Sequence, residues 1–178
     1  MEKRVVTAEK SKGLSVSDLI LVAVLLASGA VLKYFVGSII NIGGMKPNFI
    51  IAMYCLAIVL VKPKLPEAAV IGLLAGVVCQ LFPGTPYLNL ISETAGAVVM
   101  ALLSRIPMQI GKIRLNTAVS AFLATVVSGG LFTVCLFLFT RADISAMAAY
   151  VPIVLCTAVF NTVIVQALYM PLRSALHK

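Results

Sequence analysis

The stretch from 39 to 60, IINIGGMKPNFIIAMYCLAIVL, decides the class of this fold. A paired-glycine turn at Gly43 and Gly44 leads into Lys46 and Pro47, and the residues from Pro47 to position 61 carry no charge. Proline is tolerated in the first turn of a helix and is disruptive inside one. We therefore expect an apolar helix to begin at Pro47, with one positive charge at its entrance.

The whole chain has the composition of that stretch. Its 178 residues are 61% hydrophobic and 11% charged, and the mean hydropathy is +1.10, whereas soluble domains are about half apolar and about one quarter charged. The chain is therefore predicted to be an integral membrane protein. A polar tail over 1–15 precedes the first apolar run, which is long and is followed by others, so it is read as a retained helix and not as a cleaved signal peptide.

A spanning helix needs about 17 to 25 apolar residues. Six segments qualify or come close, and together they predict an all-α bundle of six transmembrane helices in a single membrane domain over 1–178: 16–36, 47–61, 66–82, 88–104, 116–139 and 147–171. The second, third and fourth segments are short for a full span. Pro66 fits a first turn, the FPGTPY sequence with Pro83 and Pro86 must be a turn or loop, and Pro152 should kink the sixth helix or mark its start.

Positive charge predicts the orientation of the bundle. With the N-terminus inside, three basic residues face the outer half, namely Lys33, Lys46 and Arg141, and eleven are cytoplasmic: Lys3, Arg4, Lys10, Lys12, Lys62, Lys64, Arg105, Lys112, Arg114, Arg173 and Lys178. This bias follows the positive-inside rule and puts both termini in the cytoplasm of a multi-pass cell-membrane protein. The net charge of +8 therefore reflects topology, and its scatter over short loops argues against nucleic-acid binding.

Catalytic chemistry is not expected. The chain has no G-x-x-x-x-G-K-[ST] loop, and its one histidine, at position 177, lies outside the six apolar segments and belongs to no recognisable pattern of nucleophile and base. Neither a metal site nor a cofactor is predicted from so few ligands. The four cysteines lie in separate apolar runs and are expected to be small buried residues: Cys55, Cys79, Cys135 and Cys156.

The first helix offers a surface for another helix. Ala23 and Ala27 stand four residues apart on one face, and Gly29 and Ala30 extend this stripe of small residues. Small residues let membrane helices approach closely. Packing within the same bundle is the alternative explanation.

Polar groups in the outer half of the apolar helices are the candidates for ligand binding, because charge within a bilayer is costly and usually faces a cavity or a partner. Glu93 is the hardest to explain otherwise, although an internal salt bridge with Lys46 or Lys33 is an alternative. Asn161 is at least as well explained by an interhelical hydrogen bond. Lys33 would reach the interface along the helix, and Gln166 is interpreted as structural.

Two motifs carry a resemblance to a known family. The sequence GMKPN at 44–48 opens the second helix, and FPG at 82–84 with Asn89 precedes and begins the fourth. Together with six short helices and the alanine face, they resemble the substrate-binding S-component of an energy-coupling factor (ECF) transporter, specifically the tryptophan-transporter branch. The likeness covers roughly residues 19 to 104, and the later helices match in hydropathy alone.

The resemblance implies a function in uptake. Ala23 and Ala27 would meet a transmembrane T-subunit coupled to two cytoplasmic ATPases, and the outer halves of the helices would enclose a small-molecule substrate such as tryptophan, a related amino acid or a vitamin-like compound. We hypothesise that Lys46 binds a carboxylate and Glu93 an ammonium. Asn89 and Asn161 are further candidates for substrate binding, and an aromatic ring would pack the body of the substrate: Tyr34, Phe49, Tyr87 or Phe160.

One departure from the family pattern concerns the substrate. The family pattern has a further glycine after the FPG turn and an acid-lysine pair after the asparagine, whereas this chain has TPYLNLISET, with Ser92 and Glu93. Two other functions stay open: a self-sufficient secondary permease, and a membrane scaffold in which Lys46 and Glu93 form an internal pair.

Overall fold

The structure is a computed structural model that describes residues 13–39, 48–83, 85, 87–107, 109–110 and 113–176. Within these ranges the chain forms six α-helices, a short 3₁₀ helix over Ile144–Ala149 and a hairpin of two two-residue strands, Gln109–Ile110 and Ile113–Arg114. The helices are α1 (Val16–Ile39), α2 (Phe49–Val61), α3 (Leu65–Cys79), α4 (Leu88–Leu103), α5 (Asn116–Thr140) and α6 (Tyr150–Ala175). All six predicted helices are present, and the hairpin was not predicted.

Proline and capping residues set the helix boundaries. Pro66 lies in the first turn of α3, where the Glu67 carboxylate also accepts a hydrogen bond from the Lys64 backbone N–H at 2.7 Å. Pro152 lies in the first turn of α6, so it marks the start of this helix and does not kink it. The segment predicted to reach position 82 ends at Cys79, because the chain turns there toward Pro83.

The second helix lies at the centre of the bundle. Every side chain from Phe49 to Leu60 is buried, and α2 contacts each of the other five helices. A helix that is apolar on all sides is expected where neighbours surround it. The lack of charged residues in α2 was interpreted as the mark of a short membrane span. It also reflects a helix that is fully enclosed by its neighbours.

The outer surface is strongly apolar. Large exposed side chains lie on α1, α5 and α6, such as Ile20 at 59%, Leu138 at 72% and Val163 at 61% exposure. Water would solvate such a surface poorly, whereas lipid tails would cover it. Three helical segments in the described ranges are long and apolar enough to cross a membrane: 16–36, 116–140 and 144–175. The chain is an all-helical membrane protein.

Small residues bring neighbouring helices together. Gly72 and Gly76 of α3 stand against the backbone of α4 near Glu93, Thr94 and Leu90, as expected for glycines in close helix contacts.

The cysteines follow the prediction only in part. Cys55 and Cys79 are buried, but Cys135 is half-buried and Cys156 is exposed. Cys156 belongs to the outward face of α6, so the expectation that all four thiols are buried was wrong.

Candidate ligand-binding site

A cavity of about 820 Å³ lies at the end of the bundle where α1 and α3 finish and α2 and α4 begin. We call this end the cavity end. The second half of α5 and the start of α6 complete its walls. Its size falls within the roughly 300–1,000 Å³ of small-molecule sites. A smaller hollow of about 410 Å³ lies at the opposite end and contains none of the predicted site residues.

Glu93 lines this cavity from the second turn of α4, and its side chain is 1% exposed. The Asn48 side-chain amide donates a hydrogen bond to Oε1, and the Ser128 hydroxyl donates one to Oε2 at 3.0 Å. A buried carboxylate is costly unless it is hydrogen-bonded, and these two donors lower that cost. Each oxygen still has lone pairs to offer, so Glu93 is equipped to bind a cationic group.

A tyrosine hydroxyl lies beside this carboxylate. Tyr54 of α2 is fully buried, and its hydroxyl occupies the space that a side chain at Gly96 would fill, next to Ser128. No partner in the described part of the chain meets hydrogen-bond geometry with this hydroxyl. Because Gly96 has no side chain, the Tyr54 hydroxyl can lie close to Glu93.

Lys33 also lines the cavity. Its Nζ atom lies 3.5 Å from the Cys79 Sγ atom and 5.0 Å from the centroid of the Phe82 ring. The side chain is thus directed into the cavity instead of reaching the interface along α1. Lys33 and Glu93 are close enough to interact electrostatically.

Asn161 of α6 forms a hydrogen bond with Asn48, the residue that precedes α2. It is 1% exposed, and its amide donates a hydrogen bond to the Asn48 backbone carbonyl at 3.2 Å. The sequence left two interpretations of Asn161, a contact with the ligand and an interhelical hydrogen bond. The structure shows the interhelical hydrogen bond, and Asn161 is not among the residues that line the cavity. Its Oδ1 atom has no hydrogen-bond partner within the described ranges.

The aromatic residues around the cavity differ from most of those predicted. Of the four sequence candidates only Tyr34 lines the cavity; Phe49 is buried in the core, and Tyr87 and Phe160 are exposed elsewhere. The other rings in the cavity wall are Phe82, Phe132 and Tyr150. Helix periodicity alone did not reveal which side of α5 and α6 faces inward.

The remaining polar residues of the outer half are divided between the cavity and other places. Asn89 lines the cavity, whereas Gln166 is exposed on α6. Lys46 lies outside the described residues, so its predicted role stays a prediction. Asp143 is exposed and caps the 3₁₀ helix, where hydrogen bonds from Ser145, including its backbone N–H at 3.0 Å, hold the pKa of Asp143 below its usual range. Among the described residues that line the cavity, Glu93 is the only acidic one.

The small residues of α1 face two directions. Ala23 and Ala27 are exposed on the outside of the bundle. Gly29 is buried against α2, where an added Cβ atom would lie 2.9 Å from Met53 and 3.0 Å from Ile50. The alanines are therefore free to meet a partner helix, whereas Gly29 serves packing within the bundle.

Two residues of the Glu93 network were not proposed as site residues from the sequence. Asn48 ends the GMKPN motif, and its position directly after Lys46 and Pro47 was an available signal. Ser128 lies within an apolar helix before two glycines, and a lone serine there is ordinary, so no sequence signal distinguished it. Their roles depend on α2, α4 and α5 converging at one level.

Comparison with known proteins agrees with this architecture. A family model described as "Tryptophan transporter TrpP" matches residues 15–177. The chain is also 27% identical over 167 residues to a protein of Bacillus subtilis (strain 168) described as "Probable tryptophan transport protein", a match that covers 90% of this chain and 93% of the relative. No solved structure matches the chain.

Proposed function

Because the chain belongs to the TrpP tryptophan transporter family, we propose that it is the tryptophan-binding membrane subunit of an ECF-type importer. In this proposal it is a multi-pass protein of the cell membrane with the cavity end outside. It binds the amino acid and carries out no ATP hydrolysis itself. A T-subunit and two cytoplasmic ATPases supply the energy.

The buried carboxylate of Glu93 carries this proposal. An amino acid presents an ammonium group, which forms charge-assisted hydrogen bonds with a carboxylate. The same cavity has aromatic walls at Phe132 and Tyr150 that suit an indole ring. Polar groups that fix orientation within a largely apolar cavity are typical of small-molecule sites.

Tryptophan binding can be measured without a label. The chain contains no tryptophan and five tyrosines, so the protein contributes no indole fluorescence of its own and all of this signal comes from the ligand, free or bound. We expect tryptophan to show a saturable, blue-shifted emission, because the ring moves from water into an apolar cavity. Leucine and lysine serve as competitors that carry the same ammonium and carboxylate groups without the indole.

The outcome of this experiment discriminates between substrates. A saturable, blue-shifted emission that excess leucine or lysine reduces only slightly supports the assignment. No binding of tryptophan, together with another small molecule identified by mass spectrometry in the purified protein, would contradict it.

The exposed alanines of α1 support the proposed assembly. Ala23 and Ala27 are exposed on the outside of the bundle and are not among the residues that line the cavity. A partner helix can approach such small side chains closely, and larger side chains would hold it off. Binding of substrate and coupling to a partner would therefore reside on separate surfaces.

Substituting leucine for both Ala23 and Ala27 should separate these two activities. We expect tryptophan binding by the purified variant to stay within about twofold of wild type, because neither alanine lines the cavity. Uptake by cells that contain the ATPase module should be abolished. Ala167→Leu, at a position on α6 that is also exposed, is the matched control and should transport normally.

Two results would contradict the assembly. Wild-type uptake by the double variant would show that Ala23 and Ala27 do not lie on the partner surface. Uptake by wild-type protein in cells without the ATPase subunits would instead favour a self-sufficient permease.

A further inference from the structure

Lys33 has no hydrogen bond to an anionic group among the described residues of the cavity, although Glu93 is near enough to interact with it electrostatically. Among the described residues its ammonium contacts the Cys79 thiol and the face of the Phe82 ring. A thiol is a weak acceptor, and an ammonium group has three donors to satisfy. The ring interaction holds the head of Lys33 in place and leaves room for a stronger acceptor. An anionic group in the cavity would supply one.

Lys33 and Glu93 are separated by two polar side chains. The Asn48 amide bonds to Glu93 and also lies 3.6 Å from the Cys79 Sγ atom, which in turn lies 3.5 Å from Lys33 Nζ. An α-amino acid carries its ammonium and its carboxylate on one carbon, so its two anchors must stand near each other on one wall. Lys33 and Glu93 carry opposite charges and are connected along one wall through Cys79 and Asn48, so they can serve as these two anchors.

We propose that Lys33 is the carboxylate anchor and specificity-determining residue of the cavity, so that the site selects zwitterionic amino acids through Lys33 and Glu93 together. This inference rests on the proposed function, since it takes the substrate to be an amino acid. It assigns the carboxylate to Lys33 in place of Lys46, the residue suggested by the sequence.

The wall beyond this pair accommodates the side chain of the amino acid. Phe132, Leu136, Tyr150 and Val154 line the cavity from α5 and α6. The Tyr150 ring stands edge-on to Phe137 with centroids 5.3 Å apart, and Phe137 is buried. A ring supported in this way offers a fixed surface to an aromatic ligand. With the zwitterion held by Lys33 and Glu93, the indole would lie against this wall.

A ligand pair that differs only at the carboxylate tests the proposal. Tryptophanamide keeps the ammonium and indole and lacks the negative charge. At mildly acidic pH, where both ligands carry a charged ammonium, we expect wild-type protein to bind tryptophan roughly 10- to 100-fold more tightly, as for a hydrogen bond between charged groups. Lys33→Met should lose that preference, so that the ratio of the two affinities approaches one, while tryptophanamide binding changes little.

Two control variants test whether the loss of the affinity ratio is specific to Lys33. Arg141→Gln removes an exposed cation at the same end of the bundle and should keep the wild-type ratio, which shows that overall charge is not responsible. Lys46→Met should also keep the ratio. If Lys46→Met abolishes the preference and Lys33→Met retains it, the proposal is overturned and the carboxylate belongs to Lys46.

The remaining outcomes are also decisive. If Lys33→Met binds neither ligand, Lys33→Gln is measured in the same way, and an unchanged affinity ratio there overturns the inference. Loss of the ratio with tryptophanamide binding retained supports it. Failure of wild-type protein to bind either ligand would refute the proposed function itself and not the choice of Lys33 over Lys46.

Discussion

Glu93→Gln should lower the affinity for tryptophan at least roughly 30-fold, because removal of one partner of a buried charge pair typically costs about 2 to 5 kcal/mol. The substitution removes the negative charge and keeps the shape of the side chain. Its carbonyl can still accept from Asn48, and the Ser128 hydroxyl can rotate to accept from the new amide. We therefore expect the variant to fold with its cavity intact while losing the attraction for an ammonium group. Indole fluorescence of bound ligand gives the affinity directly.

A matched substitution at the other end of the molecule checks this interpretation. Glu67→Gln at the start of α3 also neutralises a carboxylate, and its carbonyl can still accept from the Lys64 backbone. Its affinity for tryptophan should equal that of wild type. Indole-3-propionate, which lacks the ammonium, should compete poorly with tryptophan on wild-type protein. Tight binding of tryptophan by the Glu93→Gln variant would exclude the ammonium role and favour a structural one.

Gly72→Ala should destabilise the bundle by about 1 to 3 kcal/mol, the usual cost of extra atoms in a packed interior. An added Cβ atom would lie 2.6 Å from the Ala97 Cβ atom, 2.6 Å from the Glu93 carbonyl oxygen and 2.7 Å from the Thr94 Cα atom. Because backbone atoms of α4 cannot move aside like a flexible side chain, α3 and α4 must separate. We expect a lower melting temperature in detergent and weaker tryptophan binding, since Glu93 shifts with α4.

Gly130 provides the matched control. It lies within α5, and, apart from the backbone of its own helix, no heavy atom of the described residues stands within 4 Å of the position that its Cβ atom would take. Alanine is favoured over glycine in a helix interior by about 1 kcal/mol, so Gly130→Ala should leave stability unchanged or raise it. Opposite effects of the same chemical change at positions 72 and 130 would confirm that close contact between α3 and α4 is responsible. A melting temperature for Gly72→Ala equal to that of wild type would contradict the packing argument.

The sequence singled out Glu93, which the structure places in the cavity wall. Placing a carboxylate within the bilayer costs free energy, so Glu93 in an apolar helix could be recognised from the sequence as a candidate for ligand binding. The positions of the aromatic rings could not be inferred in the same way, because Phe49, Tyr87 and Phe160 are equally suitable by residue type and yet are buried in the core or exposed. Which ring faces the cavity depends on the rotation of each helix against its neighbours, and an all-apolar helix has no polar face from which to infer it.

By itself the sequence determined the membrane class, the six helices and the acid in the fourth, since these follow from apolar composition, segment length, proline positions and the cost of burying charge. Only the tertiary structure placed Asn48 and Ser128 on Glu93 and directed Lys33 toward Cys79 and Phe82. The physical reason is distance along the chain. Lys33 and Cys79, like Glu93 and Ser128, are far apart in sequence, and only the packing of short helices around α2 brings them to one cavity wall.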